Sequence, residues 1–287
     1  MNDNIWFGPS GVGELFWAEG NKNTLSAPGW LSSKGLNAYE YSFGRGYTMN
    51  LTTAEQLGEE AEKHGVLISV HAPYYINLAN PQRDKIEKSF GYIIKGFEYL
   101  RAMKGKKLVI HIGSQLKNSR EDALALVRQN LKELIPLLYS LGFNDMYLCP
   151  ETMGKYLQIG DYKEIIDLCT MDKMLVPTFD FGHINCVMQG ELKTEADYKK
   201  IFDYSIEKLG IERTKNCHIH FSKIEFSVKG EIRHLNYDNA CFGPDFNPLA
   251  NVIKEYSLTP SIICESKENM VEDAIELKKI YTNQTKY

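Results

Sequence analysis

Six short apolar runs in this sequence end in a side chain that can ligate a metal or move a proton. Ile68-Ser69-Val70-His71, Leu108-Val109-Ile110-His111 and Tyr147-Leu148-Cys149-Pro150-Glu151 come first. Thr178-Phe179-Asp180 follows, with His183 three residues on, then Cys217-His218-Ile219-His220 and Ile262-Ile263-Cys264-Glu265. Every histidine of the chain except His64 lies in these segments or shortly after the fifth, where His234 sits. A lone histidine at a strand end is commonly a hydrogen-bonded structural residue, and a lone carboxylate there caps a helix or pairs across a loop. Six such ends brought to one rim would set desolvated carboxylates and imidazoles against one another unless a cation neutralised them. With nitrogen and oxygen donors and no thiolate at these positions, Zn²⁺ is the expected ion and Mn²⁺ the alternative. The donors outnumber what one ion can use, so two or three ions are expected. Strand alternation turns Cys217 and Cys264 away from their ligand neighbours and into packing. Cys149 shares a face with Glu151 but has no partner for nucleophilic chemistry.

The elements that must position these residues alternate regularly. Strands are expected at 5–7, 38–41, 66–70, 107–111, 146–150, 175–180, 216–221 and 261–265. Amphipathic helical patterns lie at 53–64, 84–103, 120–140, 162–169, 196–209, 248–256 and 271–281. Gly65, Gly105, Gly142 and Gly210 follow helical patterns, where glycine supplies the left-handed cap. Eight strand-then-helix cycles predict a (β/α)₈ TIM barrel, a single α/β domain over 1–287. The alternative is a doubly wound open sheet. Gly8, Gly11 and Gly13 follow the first strand, but the segment after them does not read as the helix that a phosphate-binding turn would open. Barrel enzymes place their chemistry at the carboxyl ends of the strands, where the six polar ends fall.

Composition excludes several classes. The 287 residues are 43% hydrophobic and 24% charged, ordinary for a globular core. No apolar run approaches the ~18 residues of a membrane span. The first residues lack a signal-peptide pattern, so a cytoplasmic location is expected. Six cysteines without CxxC spacing argue against a disulfide framework or zinc ribbon. A net charge of −4 gives no global basic field. Lys104, Lys106 and Lys107 precede the fourth strand, on the opposite rim, and read as a solvated turn. Lys223, Lys229 and Arg233 follow the seventh, on the functional rim.

Taken in order, these motifs resemble the endonuclease IV family of apurinic/apyrimidinic endonucleases. His71-Ala72-Pro73-Tyr74-Tyr75-Ile76-Asn77-Leu78, His111-Ile112-Gly113-Ser114, Glu151-Thr152, Asp180-Phe181-Gly182-His183, His218 with Lys223, and Glu265-Ser266 carry the likeness. The resemblance implies a trinuclear zinc barrel that hydrolyses the DNA backbone 5′ to abasic sites in base-excision repair, its metal ions activating water for in-line attack. It implies His71 and His111 on one ion, Glu151 bridging to a second held by Asp180, His218 and Glu265, and His183 and His234 on a third. Glu151 would fix the metal spacing and Glu265 orient the nucleophile. The family's Asp-x-His is altered, since Ile232 stands two before His234. Glu231 is the expected substitute, which requires the backbone to turn at Ile232-Arg233. The resemblance also implies double-stranded DNA as partner, with Tyr74 matching a residue that enters the duplex. The loop after the second strand departs from the family, and there Arg45 and Tyr47 are the candidates, with Lys223 a phosphate contact. Two other readings stand beside this one. A one-metal sugar isomerase or epimerase of the xylose-isomerase-like barrels would use Glu151, Asp180, His218 and Glu265 alone. A metal-binding barrel without nuclease activity is the third.

Overall fold

The computed structural model describes residues 5–283, which form a parallel barrel wrapped by helices. Its strands are β1 (Trp6–Pro9), β2 (Ala38–Ser42), β3 (Leu67–His71), β4 (Lys107–Ile110), β5 (Tyr147–Pro150), β6 (Thr178–Asp180) and β7 (His218–Phe221). A hairpin of β8 (Lys223–Ser227) and β9 (Gly230–Leu235) stands outside the barrel, and β10 (Ser261–Cys264) completes it. Two parallel arcs, β2-β3-β4-β5 and β6-β7-β10-β1, make up the wall. Parallel bridges Ser10–Glu40, Leu148–Leu175 and Glu151–Thr178 join them. Eight parallel strands with connecting helices are the TIM barrel expected from the sequence.

The period-two rule sorts each strand between two cores. Leu108, Ile110, Leu148, Cys217, Ile219, Phe221, Ile262 and Cys264 join the large apolar cluster between wall and helices. Val109, Cys149 and Val176 form a small separate cluster on the inner face. The inner face is otherwise mostly polar, with Glu40, Ser69, Thr178, His218 and His220 all buried and Ile263 beside them. Polar side chains therefore fill the lumen, and the packing that holds the barrel lies mainly outside the wall.

Helix limits follow their caps. Asn50 Oδ1 accepts from Thr53 N at the start of Leu51–His64, and Gly65 ends it in the left-handed region at φ 65°. Asp161 and Glu164 form a capping box at Tyr162–Cys169. Glu164 is also gripped by Arg120 Nε and Nη2 at 2.7 and 2.6 Å, while Arg120 Nη1 donates to Gln158 O at 2.6 Å. That clamp fixes the loop after β5, which borders the functional rim.

Three features differ from the sequence expectation. The segment after β1 does form a helix, Gly13–Ala18, followed by Ala27–Ser33. Six residues are too few to display periodicity, and this helix has no side-chain cap; Phe16, buried against Trp17 and Trp30, fixes it through tertiary contacts. The β8–β9 hairpin occupies a stretch whose sequence pattern is that of a loop. Lys107 is not part of a solvated turn, because its position in β4 faces inward: Nζ donates to Cys217 O at 3.2 Å and Ser261 Oγ at 3.3 Å. Burial pushes its ammonium below the ordinary lysine range.

β1 and β2 approach so closely that a Cβ at Gly8 would stand 1.8 Å from Ala38 O. Gly91 lies mid-helix in Arg83–Ala102, exposed, with nothing within 4 Å of a built Cβ. Gly8→Ala should therefore destabilise by about 3 kcal/mol or more. Gly91→Ala should stabilise by roughly 0.5–1 kcal/mol. Urea midpoints of the two variants are expected to move in opposite directions; shifts of the same sign would contradict the close approach.

Candidate metal centre

Parallel register decides which inner side chains share a level. Asp180 of β6 pairs with His220 of β7, and Thr178 pairs with His218. On the other side His220 pairs with Ile263, two residues short of Glu265. His220, and not His218, therefore stands level with Asp180 and one inward step below Glu265, within reach of both. His218 shares its face but sits one layer deeper, Nε2 2.9 Å from Glu40 Oε2. Burial, partly offset by Glu40, pushes its imidazole down to about 4. The expected second group thus keeps Glu151, Asp180 and Glu265 and exchanges His218 for His220. In each of the other strands the candidate ligand is the last inward-facing polar residue, a rule that would have selected His220 from the sequence. The five-residue spacing to Lys223 points to His218 instead.

Four groups of candidate donors have their ligand atoms within 4.8 Å of one another; Glu40, His218 and His220 form a deep one, and the other three stand at the rim. In the first rim group, His71 Nε2 and His111 Nε2 each lie 3.1 Å from Glu151 Oε2. In the second, His220 Nδ1 lies 3.0 Å from Glu151 Oε1 and 3.4 Å from Glu265 Oε2, with Asp180 alongside. In the third, His183 Nε2 lies 3.6 Å from Glu231 Oε2, and His234 Nε2 lies 3.9 Å from Glu231 Oε1. Glu151 offers one oxygen to each of the first two groups, as a bridging carboxylate must.

Glu231 reaches the third group through a bulge. Glu225 pairs with Arg233 but Phe226 pairs with Glu231, so Ile232 is an extra residue in β9. Three positions apart, Glu231 and His234 would face opposite sides of a regular strand; the extra residue brings them to one face. Gly230, at φ 100°, lets the hairpin meet the β5 loop, where Glu231 N donates to Gly154 O at 2.9 Å.

Hydrogen bonds fix several imidazoles so that one nitrogen remains for the centre. His71 Nδ1–H donates to Ala72 O at 2.8 Å and His183 Nδ1–H to Thr152 O at 3.0 Å. His234 Nδ1 shares a hydrogen bond with Ser222 Oγ at 2.8 Å. No local pattern marks Thr152 or Ser222 for these supporting roles. Asp180 is fully buried, and its Oδ2 has no hydrogen-bond partner among the described residues.

A cavity of about 280 Å³ opens above the groups, lined among others by His71, His111, Glu151, Glu231, His234, Glu265, Tyr74, Lys155 and Gln158. Lys155, which the sequence reading missed, puts Nζ 3.8 Å from Glu231 Oε2. Tyr74 stands half exposed at the mouth beside Tyr75, and Arg45 is exposed on the loop after β2. Lys223 is turned away from this mouth: Nζ donates to Asn239 O at 2.6 Å over the Tyr237 ring. Tyr47 is likewise engaged, donating to Tyr92 O and stacked on Tyr99. Arg233 pairs with Glu225 at 2.7 Å, while Lys229 is exposed on the hairpin.

The electrostatics show what these donors require. Burial would raise the Glu151 carboxyl, yet His220 and His111 hold it well below the ordinary range. Asp180 is raised, chiefly by burial. Burial would lower His71, but the hydrogen bond and charge of Glu151, with Glu40 and Glu265, outweigh it and hold the imidazole up to about 9. His183 and His220 are raised by surrounding carboxylates in the same way. Without another cation, protons on histidine must offset the buried carboxylates. His71 then contributes stability that is complete below its ordinary pKa of 6.5 and is lost as pH rises through about 9. In protein stripped by chelator, the urea midpoint should fall across this window, and added Zn²⁺ should abolish the fall by taking the proton's place. A midpoint that is flat with pH in the stripped protein would contradict this charge balance.

The sequence matches the xylose isomerase-like TIM barrel family over residues 29–280. An uncharacterized protein of Methanocaldococcus jannaschii is 35% identical over 88% of this chain and 89% of its own length. A probable endonuclease 4 of Staphylococcus carnosus is 29% identical, over 63% of this chain and 61% of its own length. Among solved structures, endonuclease IV from Thermus thermophilus superposes with a TM-score of 0.70 at 19% identity, covering 96% of this chain and 97% of its own. A D-tagatose 3-epimerase-like protein superposes with a TM-score of 0.67, also at 19% identity, over 97% and 96%. At such identities the superpositions speak for the fold alone, and the fold serves both chemistries. No helix of the described residues is long and apolar enough to cross a membrane. The family match over most of the chain, together with the eight-stranded wall, gives the assignment: this chain belongs to the xylose isomerase-like TIM barrel family.

Proposed function

We propose that this protein is a zinc-dependent phosphodiesterase that cleaves double-stranded DNA 5′ to abasic sites. The observation that carries the reading is the set of three donor groups at the rim, two of them sharing Glu151, where a one-ion isomerase needs only the second. On the isomerase reading His71, His111, His183, Glu231 and His234 would be five ionisable side chains collected at the rim for no purpose. The donors also suit metal ions: Asp180 Oδ2 accepts no hydrogen bond from the described residues, with His183 Nδ1 3.2 Å away, and the free imidazole nitrogens turn toward carboxylate oxygens. His71, His111 and Glu151 would hold one ion; Glu151, Asp180, His220 and Glu265 a second; His183, Glu231 and His234 a third. When bound, the ions would lower the pKa of water toward about 7 and neutralise charge on the phosphoryl oxygens.

The protein's own residues supply the rest. Glu151 fixes the spacing of the two neighbouring groups through its separate oxygens. Glu265 lines the cavity and can orient a water and hold its proton. Lys155, which lines the cavity, and Arg45, exposed next to the lining Gly44, offer cationic contacts for phosphates. Tyr74 and Tyr75 present half-exposed rings at its mouth, against which an unstacked base or sugar can lie. With a net charge of −4, phosphate affinity would rest on these few groups and on the ions.

The second reading, a sugar isomerase or epimerase with one ion on Glu151, Asp180, His220 and Glu265, is supported by the epimerase-like neighbour. Metal content separates the two. Elemental analysis of protein purified without chelator should give two or three zinc ions per chain, and Glu231→Ala should lose about one. One ion per chain, with turnover of ketose sugars, would establish the second reading. Two or more ions without cleavage would leave a metal-binding barrel that is not a nuclease.

Glu151→Gln should reduce cleavage of a duplex oligonucleotide bearing an abasic site by at least about 100-fold, with circular dichroism unchanged. Amidation removes the charge and one strong ligand oxygen, so the two groups would no longer share an anion. Cleavage near the wild-type rate would show that Glu151 does not bridge.

A further inference from the structure

Glu40 lies on β2, a strand that contributes no donor to the three rim groups, yet its carboxylate is fully buried beneath them, close to His218 and His220. Its Oε2 accepts from Ser69 Oγ at 2.8 Å and from His218 Nε2 at 2.9 Å. Its Oε1 stands 2.9 Å from His220 Nε2 in a charge contact that is not aligned as a hydrogen bond, and neither of these two buried atoms has a hydrogen bond to any described residue. The opposite nitrogen of the same ring, His220 Nδ1, faces Glu151 and Glu265. His220 is thus held between a deep carboxylate on one edge and the donor group on the other.

We propose that Glu40 is a positioning residue: its carboxylate, against His220 Nε2, favours the proton on that nitrogen and so leaves Nδ1 unprotonated and aimed as a metal donor. The inference rests on the metal-centre reading above and adds the residue that sets which nitrogen of His220 is free. A carboxylate on the far nitrogen fixes the tautomer, locks the ring's orientation and increases the basicity of the ligating nitrogen. Ser69 and His218 have a corresponding task. By donating to Oε2 they hold the carboxylate plane so that Oε1 points at His220. This also gives His218, the histidine that does not reach the donor group, a reason to occupy the lumen. A buried glutamate without partners would be costly; here its charge lies within hydrogen-bond reach of two imidazoles, and the Lys107 ammonium lies deeper in the lumen.

The test measures zinc binding directly. Wild type and Glu40→Gln are titrated with Zn²⁺ against a chromophoric chelator, and the melting of each chelator-stripped protein is followed in parallel. Glutamine keeps an acceptor oxygen but removes the charge, so one zinc ion per chain should bind about 10–100-fold more weakly while the others are unaffected. A lower melting temperature with every zinc affinity unchanged would mark Glu40 as structural only and overturn the proposal. If wild type itself bound no zinc, the metal-centre reading would fail first, which keeps the two failures distinct. Should Glu40→Gln not fold, histidine-labelled wild type answers the same question. Long-range ¹H–¹⁵N spectra of the Zn²⁺-loaded protein should show His220 protonated at Nε2 with Nδ1 bound; the reverse tautomer, or an extra ion at Glu40 and His218, would overturn it.

Discussion

Everything in the lumen of this barrel answers to buried negative charge. Glu40, Glu151 and Asp180 are fully buried inside one narrow barrel, with Glu265 at its mouth. Carboxylates at such depth persist only where hydrogen bonds and opposite charge replace the water they have lost. The protein supplies imidazoles for this purpose, five of them in direct reach of Glu40 or Glu151. Imidazole is suited to the task because it offsets charge as a protonated cation and, once neutral, becomes a metal ligand through one nitrogen. The same side chains can therefore satisfy the lumen with protons or with ions, and binding a metal exchanges one for the other.

Stability and chemistry are kept apart by the wall of the barrel. The apolar packing lies mainly between strands and helices, whereas the apolar residues of the inner face, Val109, Cys149, Val176 and Ile263, are few and sit among polar ones. Charge placed in the lumen is thus surrounded by a scaffold that does not rely on the lumen for its own cohesion. The rim is reinforced independently. Arg120 ties the β5 loop to the capping box at Asp161 and Glu164, and Gly230 seats the hairpin against Gly154. Those contacts matter because the third donor group spans two elements: His183 belongs to the helix after β6, while Glu231 and His234 ride on the hairpin.

Separating a polynuclear hydrolase from a single-ion isomerase within this family depends on what surrounds a shared core. Glu151, Asp180, His220 and Glu265 suit either chemistry. What favours the hydrolase is the addition of two further groups, one through a second oxygen of Glu151 and one through a bulge that recruits Glu231. Cationic and aromatic side chains at the mouth are few, and two that the sequence suggests, Lys223 and Tyr47, are engaged in internal hydrogen bonds. Contact with DNA would accordingly rest on Arg45, Lys155, Tyr74 and Tyr75 more than on a broad basic surface.

Local pattern was enough to set the number of strand–helix cycles and the end of each strand at which chemistry collects. Both follow from periodicity, and so does the assignment of Cys217 and Cys264 to the outer core. The helical ranges 120–140 and 162–169 coincide with Arg120–Ser140 and Tyr162–Cys169 because caps and amphipathic pattern are written into adjacent residues. Depth in the barrel was settled by tertiary packing. His218 and His220 face the same way and differ only in height, which the stagger between neighbouring strands sets. Glu40 carries no local signal, since its partners are 29 and 178 residues away. Lys107 has the sequence surroundings of a surface turn, because nothing nearby in the chain announces that the floor of the barrel lies beneath it. Glu231 was legible as a candidate, but the bulge that turns it toward His234 arises from pairing across the hairpin. Period-two alternation says which way a side chain points; only the closed barrel says what it meets there.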